Sequence, residues 1–401
     1  MKKGWEYSTI GDLCDKINGL WKGKIGPFVN VGVIRNANFT KAFTLSFDNI
    51  EYLDVEAKQY KTRKLQKGDL IVEKSGGSEK QPVGRTVLFD KEEGEYSFSN
   101  FTSVLRIKDR NVITPEFLYK YILFVYMRGD TRKMQKATTG IHNIEFDKFL
   151  SIPVPKISLT EQQSIVSYLD AAFAKIDAMK ANAEKALSEA KALFQASLKE
   201  MLEPKEGWEE KALKDIASDM YRGSGVTRDQ VTEKGISCVR YGEIYTKYNY
   251  HFTECCSHTL ADYVRSPKYF EYGDILFAIT GESVEDIGKC VAYTGKEKCI
   301  AGGDTVVMKH NNEPRYISYA LSTPSAIKQK GQGKTKLKVV HTNIPSLREI
   351  IIPIAPMNEQ INIADTLDSL KSKVDRLQAN FEQISQECDA LKQALLKQVF
   401  E

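Results

Sequence analysis

Two long stretches of the chain repeat apolar residues at alternating steps of four and three, with polar residues between them. This spacing predicts amphipathic helices that pack along a coiled-coil seam. The stretches run from Glu161 to Glu203 and from Glu359 to Glu401. The seam predicted for the second stretch consists of Ile363, Leu367, Leu370, Val374, Leu377, Phe381, Ile384, Cys388, Leu391 and Leu395. The seam predicted for the first consists of Ile165, Leu169, Ala172, Ile176, Met179, Ala183, Ala186, Ala190, Leu193 and Ser197.

The first predicted seam is small in its middle, where the second is bulky. Because a packed core conserves volume, a large residue of one helix needs a small residue opposite. An antiparallel arrangement would place Ala183 near Phe381 and Ala190 near Val374. We therefore predict that the two helices pack on each other and run antiparallel. The alternative is two unrelated amphipathic helices in one globular core.

A globular region lies before each helical stretch, and the two regions repeat the same landmarks in the same order. The paired landmarks are Gly4-Trp5-Glu6 with Gly207-Trp208-Glu209, Val33-Ile34-Arg35-Asn36 with Cys238-Val239-Arg240-Tyr241, Gly68-Asp69 with Gly273-Asp274, Ile152-Pro153 with Ile352-Pro353, and Glu161-Gln162 with Glu359-Gln360. Such self-similarity indicates a tandem duplication. We assign residues 1–157 to a first domain, 158–203 to a first long helix, 204–356 to a second domain and 357–401 to a second long helix.

Within each domain the pattern is mixed. The Gly-Asp turns lead into short apolar runs at 70–72 and 275–279, which predict strands, as do 101–107 and 305–308. Pro115 and Pro314 stand at the starts of predicted helices. The predicted fold class is α+β, with two tandem-duplicated domains separated by two long antiparallel coiled-coil helices in a pseudo-twofold arrangement.

Composition narrows the class of protein. The chain has 401 residues, no long apolar run and seven cysteines, which predicts a cytoplasmic protein with reduced thiols. Residues 1–150 carry 25 basic and 19 acidic side chains, and residues 204–352 carry 21 and 19. The positive excess therefore lies in the domains, which permits nucleic-acid binding.

Catalytic signatures are missing. Glu56-Ala57-Lys58 matches a nuclease tripeptide that arises often by chance, and His142 and His341 have no metal-ligand neighbours in sequence. We expect no catalytic residue, no metal site and no cofactor site in this chain. A nuclease that uses Glu56 and Lys58 is kept as a weaker alternative.

Two basic loops occupy corresponding places in the two domains and are candidates for DNA contact. Ammonium groups neutralise phosphates, and Gln, Thr and His can hydrogen-bond base edges. The alternative is a solvated lysine-rich loop. The candidates in the first loop are Lys133, Lys136, Thr138, Thr139 and His142, and those in the second are Lys328, Lys330, Gln332, Lys334, Lys336, Lys338 and His341.

A second candidate surface follows the strands that begin after the Gly-Asp turns. Glycine-rich turns let the backbone approach a ligand closely, and a cation just beyond could meet a phosphate or a guanine. Plain hairpin turns are the equal alternative. The candidates here are Lys74, Ser75, Gly76 and Arg85 in the first domain and Thr280 and Lys289 in the second, with Arg35, Arg240 and Tyr241 from the repeated landmarks added.

The order of these parts resembles the specificity subunit of type I restriction-modification systems. The resemblance covers the whole chain and depends on the duplicated architecture together with Ile152-Pro153-Val154-Pro155 before Glu161-Gln162-Gln163 and Ile352-Pro353-Ile354-Ala355-Pro356 before Glu359-Gln360. Two departures are the extra residue before Pro356 and Ile361 in place of the second Gln.

The resemblance implies that each domain is a target recognition domain for one half of a bipartite site in double-stranded DNA. It implies that the helices set the gap between the halves and dock two modification subunits, which supply S-adenosylmethionine, while restriction subunits supply ATP- and Mg-dependent cleavage. No membrane partner is expected. The alternative from another class is a coiled-coil adaptor that binds proteins and not DNA.

Overall fold

The computed structural model describes residues 4–21, 23, 25–79, 81–138, 140–333 and 339–401. Their contacts divide the chain into two compact units. The first unit comprises Met1–Ala183 with Glu382–Glu401, and the second comprises Glu184–Phe381. The first domain lies in the first unit and the second domain in the second, so each is described by itself.

Two helices are far longer than the others. They are α5, Leu159–Met201, and α11, Met357–Phe400, and each contributes residues to both units. Both begin two residues before the predicted stretches. The remaining helices are α1 (Ile10–Leu13), α2 (Ala57–Arg63), α3 (Pro115–Met127), α4 (Phe146–Leu150), α6 (Leu213–Ile216), α7 (Tyr241–Thr246), α8 (Pro314–Ala320), α9 (Pro324–Gly331) and α10 (Ile344–Arg348).

The first unit contains four small sheets, with strand orders β2-β9-β5-β7, β4-β3-β8, β10-β11-β6 and β1-β12. The β3-β8 pair is parallel and the others are antiparallel. The strands are β1 (Glu6–Thr9), β2 (Cys14–Asn18), β3 (Phe28–Ile34), β4 (Glu51–Glu56), β5 (Leu70–Glu73), β6 (Ser75–Gly77), β7 (Thr86–Leu88), β8 (Tyr96–Phe98), β9 (Thr102–Ile107), β10 (Gln135–Thr138), β11 (Ile141–Ile144) and β12 (Pro153–Lys156).

The second unit repeats this arrangement, with strand orders β14-β24-β20-β22-β17, β15-β18-β16-β23-β19, β21-β25 and β13-β26. Two pairs are parallel here, β17-β22 and β16-β23, and β16-β23 corresponds to β3-β8. The strands are β13 (Glu209–Ala212), β14 (Ala217–Arg222), β15 (Val231–Thr232), β16 (Ile236–Val239), β17 (His251–Phe252), β18 (Ser257–Thr259), β19 (Tyr269–Phe270), β20 (Ile275–Ala278), β21 (Thr280–Gly281), β22 (Cys290–Tyr293), β23 (Cys299–Ala301), β24 (Thr305–His310), β25 (Val340–His341) and β26 (Ile351–Ile354).

The Gly-Asp turns lead into strands in both domains, as predicted, and these strands, β5 and β20, are buried and have a partner strand on each side. Gly68 and Gly273 have φ angles of +94° and +91°, which glycine adopts without strain. The Asp69 carboxylate accepts from the backbone N–H of Gln66 at 2.8 Å and pairs with Arg106 at 2.7 Å. Asp274 is held in the same way, by the backbone N–H of Glu271 at 2.9 Å and by the Lys309 ammonium at 2.9 Å. The turn therefore fixes the start of the strand in each case.

A buried glutamine near the start of each long helix joins that helix to its domain. The side chain of Gln162 is fully buried; its Oε1 accepts from the backbone N–H of Thr114 at 2.9 Å, and its Nε2 donates to the carbonyls of Val112 and Ile157 at 2.9 and 3.0 Å. Gln360 repeats these contacts, accepting from the backbone N–H of Glu313 at 3.0 Å and donating to Asn312 and Ala355. The repeated Glu-Gln landmark is therefore a structural joint.

The seam of α5 was only half correctly predicted. Met179 and Leu193 are 59% and 62% exposed, and Ala186 is also exposed. The buried positions lie one residue later, at Phe173, Leu187 and Phe194. A stripe at alternating steps of three and four can be drawn in two phases that share every second position, and the phase that buries the larger side chains is the one adopted. Ala183 and Ala190 remain in the seam, but Leu187 takes the place predicted for Ala186, so the middle is only partly small.

The α11 seam agrees with its prediction through Cys388 and departs from it near the end. Leu391 is 47% exposed, whereas Leu396 and Phe400 are buried. In the first unit the Phe400 ring packs against Phe117, Tyr121 and Phe124. The last turn therefore belongs to the core of the first domain.

Contacts between the long helices occur within each unit. In the first unit Lys180 lies 3.5 Å from Asp389 and Lys392 lies 2.5 Å from Asp177, a pairing that only antiparallel segments can make. In the second unit the Lys191 ammonium donates to Gln378 at 2.7 Å, and Ala190 packs into the core that contains Val374. The α+β class with long antiparallel helices is confirmed.

Replacing Gln162 by Ala should destabilise the first unit by about 2–4 kcal/mol, because one buried backbone N–H and two buried carbonyls lose their partner. The neighbouring Gln163→Ala is the control, since that side chain is exposed and its removal should change stability by less than about 0.5 kcal/mol. Urea unfolding followed by circular dichroism measures both. Equal midpoints for the two variants would contradict the structural joint.

Candidate nucleic-acid interface

The two candidate surfaces of the first domain form one sheet. Strand β6, which carries the glycine-rich turn, pairs with β11, and β11 pairs with β10 from the basic loop. His142 stands opposite Gly77, and Asn143 opposite Ser75. We call β6, β10 and β11 the first ribbon.

The second domain makes the same connection. Strand β21 follows the central strand β20, as β6 follows β5, and it pairs with β25 from the second basic loop. Thr280 stands opposite His341, and the Thr280 Oγ1 lies 3.1 Å from His341 Nδ1. We call β21 and β25 the second ribbon. Two segments that were separate candidates in the sequence therefore meet in both domains.

The first ribbon and its margin expose cations and polar groups. Lys133, in the 3-10 helix Asp130–Met134, and Lys136 on β10 are exposed. His142 is half-buried, and its Nδ1 has no hydrogen-bond partner among the described residues. Thr138 ends β10, and Thr139 lies outside the described residues.

The turn of the first ribbon is held by Asn36, which was not among the predicted site residues. Asn36 Nδ2 donates to the Ser75 carbonyl at 2.6 Å, and a Cβ at Gly76, where φ is +109°, would lie 3.1 Å from the same nitrogen. Ser75 is buried and Lys74 is half-buried. The repeated landmark could have suggested a role for Asn36. Arg35-Asn36 recurs as Arg240-Tyr241, so Asn36 stands at a position that the two domains share but fill with different side chains.

Of the described lysines in the second basic loop, one lies at the surface and one is buried. Lys328 and Gln332 are exposed, but Lys330 is 5% exposed and its Nζ lies 3.8 Å from Cys290 Sγ. Burial lowers the pKa of Lys330. Its assignment to DNA contact does not fit this position. Lys334, Lys336 and Lys338 lie outside the described residues.

The two cations beyond the glycine-rich turns, Arg85 and Lys289, also bind partners inside their own domains. Arg85 binds the Glu73 carboxylate through two hydrogen bonds of 2.7 and 3.1 Å, and the Glu73 side chain is 2% exposed. The Lys289 ammonium donates to the carbonyls of Tyr245 and Tyr248, each at 3.2 Å, and burial lowers its pKa. Both side chains fix neighbouring segments, which the sequence could not indicate because their partners are distant in the chain.

The repeated arginines begin two short helical segments. Arg35 pairs with Glu51 and precedes the 3-10 helix Asn36–Asn38. Arg240 binds Glu243 at 2.8 Å and precedes α7, whose first residue, Tyr241, is 39% exposed. These arginines are partly exposed and each already has a carboxylate partner.

The described residues support neither a metal site nor a membrane-spanning helix. In the described part of the chain, no group of His, Cys, Asp and Glu residues is placed to hold a metal ion. No helix within the described ranges has the length and apolar character needed to cross a membrane.

The fold defines a class of duplicated proteins in which domains of mixed helices and strands alternate with long helices. The family model of the type I restriction modification DNA specificity domain matches residues 2–188 and again residues 205–386, and the chain belongs to this family. This confirms the resemblance and supports DNA recognition over the adaptor alternative.

Solved structures agree on the fold. The chain is similar to the HsdS subunit of Thermoanaerobacter tengcongensis, with 17% identity, a TM-score of 0.54 and coverage of 100% of this chain and 97% of that one. It is also similar to a chain from a structure describing complex assembly and conformational transition of a type I R-M system, with 16% identity, a TM-score of 0.72 and coverage of 100% and 98%. No curated protein gives a significant match.

Arg85→Ala should lower the free energy of unfolding of the first unit by about 3–5 kcal/mol, because it leaves the buried Glu73 carboxylate unpaired. Lys136→Ala, an exposed cation of the first ribbon, is the control and should change stability by less than about 0.5 kcal/mol. Chemical denaturation provides the comparison. A fully stable Arg85→Ala protein with weakened DNA binding would instead make Arg85 a DNA contact.

Proposed function

We propose that each domain recognises one half of a bipartite site in double-stranded DNA through its ribbon. The observation that carries this proposal is the pairing of β6 with β11 and of β21 with β25, which joins a glycine-rich turn to a basic loop in both domains. Phosphate contacts position such a protein, and contacts to base edges give specificity. The same backbone pairing with different side chains suits two different half-sites.

The proposed contacts are the predicted site residues other than three cations that the structure pairs or buries inside their domains. They are Lys74, Ser75, Gly76, Lys133, Lys136, Thr138 and His142 in the first domain and Thr280, Lys328, Gln332 and His341 in the second, with Arg35, Arg240 and Tyr241 added from the repeated landmarks. Thr139, Lys334, Lys336 and Lys338 are retained on sequence grounds alone. Arg85, Lys289 and Lys330 are assigned to the internal structure of their domains.

We further propose that α5 and α11 set the gap between the half-sites and dock two modification subunits. Supporting the docking, Tyr168, Met179, Leu193 and Leu391 are between 47% and 62% exposed on these helices, more apolar surface than packing within the chain uses. In this proposal S-adenosylmethionine is bound by the modification subunits, and ATP with Mg by restriction subunits. This chain supplies recognition and binds neither cofactor.

Replacing Lys133 and Lys136 together by Gln should weaken DNA binding and reduce the slope of log affinity against log salt by about 0.9 for each phosphate that is no longer neutralised. The probe is a synthetic duplex carrying the site mapped by adenine methylation in cells that also express the cognate modification subunit. Fluorescence anisotropy at several salt concentrations gives the slope. Lys185→Gln, an exposed cation on α5, is the control and should leave the slope unchanged. An unaltered slope in the double variant would remove both lysines from the interface.

Inserting one heptad into α5 and one into α11 at matched positions should lengthen the unspecified spacer and leave both half-sites unchanged. A heptad preserves the seam, because it completes a whole repeat of the packing pattern. Methylation mapping of the variant reads out the spacer directly. A four-residue insertion is the comparison, since it breaks the repeat and should abolish methylation. Methylation at the original spacing in the heptad variant would count against the helices as the ruler.

A further inference from the structure

A cleft of about 960 Å³ opens in the second unit between the segment that follows β14 and the start of α7. It is distinct from the second ribbon, which contributes none of its lining residues. Its lining includes the basic side chains of Arg222, Arg228, Arg240 and Lys247 and the backbone of Gly225 and Gly242.

Two glycines of this cleft have no internal reason to be glycine. Glycine is required where φ is positive or where a Cβ would collide with a neighbour. Of the 26 glycines in the chain, only Gly225 and Gly242 combine a φ that other residues adopt with no atom within 4 Å of the Cβ position. By contrast, a Cβ on the nearby Gly223 would lie 2.1 Å from the Gly302 carbonyl oxygen. Glycine at positions 225 and 242 therefore leaves the backbone open to close approach from the cleft.

The first domain shows that its fold accepts side chains at both places. Gly242 is the second residue of the helix that Arg240 caps, and its counterpart, in the 3-10 helix that Arg35 caps, is Ala37. Gly225 comes two residues after the close-packed Gly223. Trp21 comes two residues after Gly19, whose Cβ would lie 1.8 Å from the Ser99 carbonyl oxygen, and the Trp21 side chain is 64% exposed. The glycines are therefore a feature of the second domain and not of the shared frame.

The charges of the cleft favour an anionic ligand with a flat face. Four of its side chains are basic and two are acidic. Arg222 is paired with Asp304 at 2.6 Å and Arg240 with Glu243 at 2.8 Å, so the pairs cancel. The cations of Arg228 and Lys247 remain and are exposed, and Tyr241 presents part of its ring. Cations bind phosphate, and an aromatic ring stacks on a base or a sugar.

We propose that one strand of the DNA enters this cleft with its sugar-phosphate edge against the backbone of Gly225 and Gly242. Arg228 and Lys247 contact its phosphates, and Tyr241 packs on the adjoining nucleotide. This inference rests on the proposed function and extends it, because it adds to the second domain a strand contact outside the second ribbon.

The test is the double variant Gly225→Ala/Gly242→Ala in the full chain, with Ala37→Gly as the matched control in the first domain. The melting temperature of the double variant should equal or exceed that of the unaltered protein, since neither methyl group meets a protein atom and Ala favours a helix. Its affinity for the duplex carrying the mapped site should fall at least about tenfold. Ala37→Gly should leave that affinity unchanged.

Two further duplexes, each with one half-site scrambled, separate the possible failures. The loss of affinity caused by the two methyl groups should disappear with the duplex in which the half-site of the second domain is scrambled. It should persist with the other duplex. Unchanged affinity in a stably folded double variant would overturn the cleft while leaving DNA recognition intact. A lower melting temperature would show that the glycines serve the fold and would also overturn it. Equal affinity of the unaltered protein for intact and scrambled duplexes would overturn the proposed function and the cleft together.

Discussion

Each half of the chain depends on a glutamine side chain that is buried between a domain and a long helix. Both the oxygen and the nitrogen of its carboxamide form hydrogen bonds. Gln162 and Gln360 are 0% and 1% exposed, and each satisfies both ends of its amide with groups from the domain side. An amide buried with only one end paired would be unfavourable, so the joint tolerates little displacement. The strands that open and close each domain, β1 with β12 and β13 with β26, meet beside this joint. A domain held in this way can vary elsewhere without losing its attachment.

Near each buried glutamine, the long helix carries an aspartate at the same position in both units, but the partners of that aspartate differ. Eight residues beyond the glutamine, Asp170 lies 2.5 Å from the Lys120 ammonium in the first unit. The corresponding Asp368 accepts hydrogen bonds from Tyr319 at 2.6 Å and Arg315 at 2.7 Å and lies 2.9 Å from His251. Burial alone would raise the pKa of Asp368, but these contacts lower it to about 2. One carboxylate on the long helix is thus retained, and each domain supplies its own partners.

Much of this frame could be predicted from the sequence, because its parts are local and occur twice. The Gly-Asp turns, the strands after them and the helices that begin at Pro115 and Pro314 all depend on short-range signals. The seam of α5 was harder to predict, because two phases share half of their positions and only packing against the domain chooses Phe173 and Phe194. Periodicity gives the existence of an amphipathic helix more surely than the rotation of its face.

The site was harder to predict than the frame, for a different physical reason. A cation in sequence carries no sign of whether a carboxylate, a carbonyl or solvent will surround it. Arg85, Lys289 and Lys330 looked like DNA contacts, yet their partners Glu73, Tyr245 and Cys290 lie on other segments. The frame therefore uses part of the positive charge of each domain, and net charge overstates what remains for DNA. For predicting DNA contacts, it is better to ask whether a group is already used inside the domain than to count charges. By this criterion the exposed lysines and the glycines Gly225 and Gly242 carry more information than the charge count.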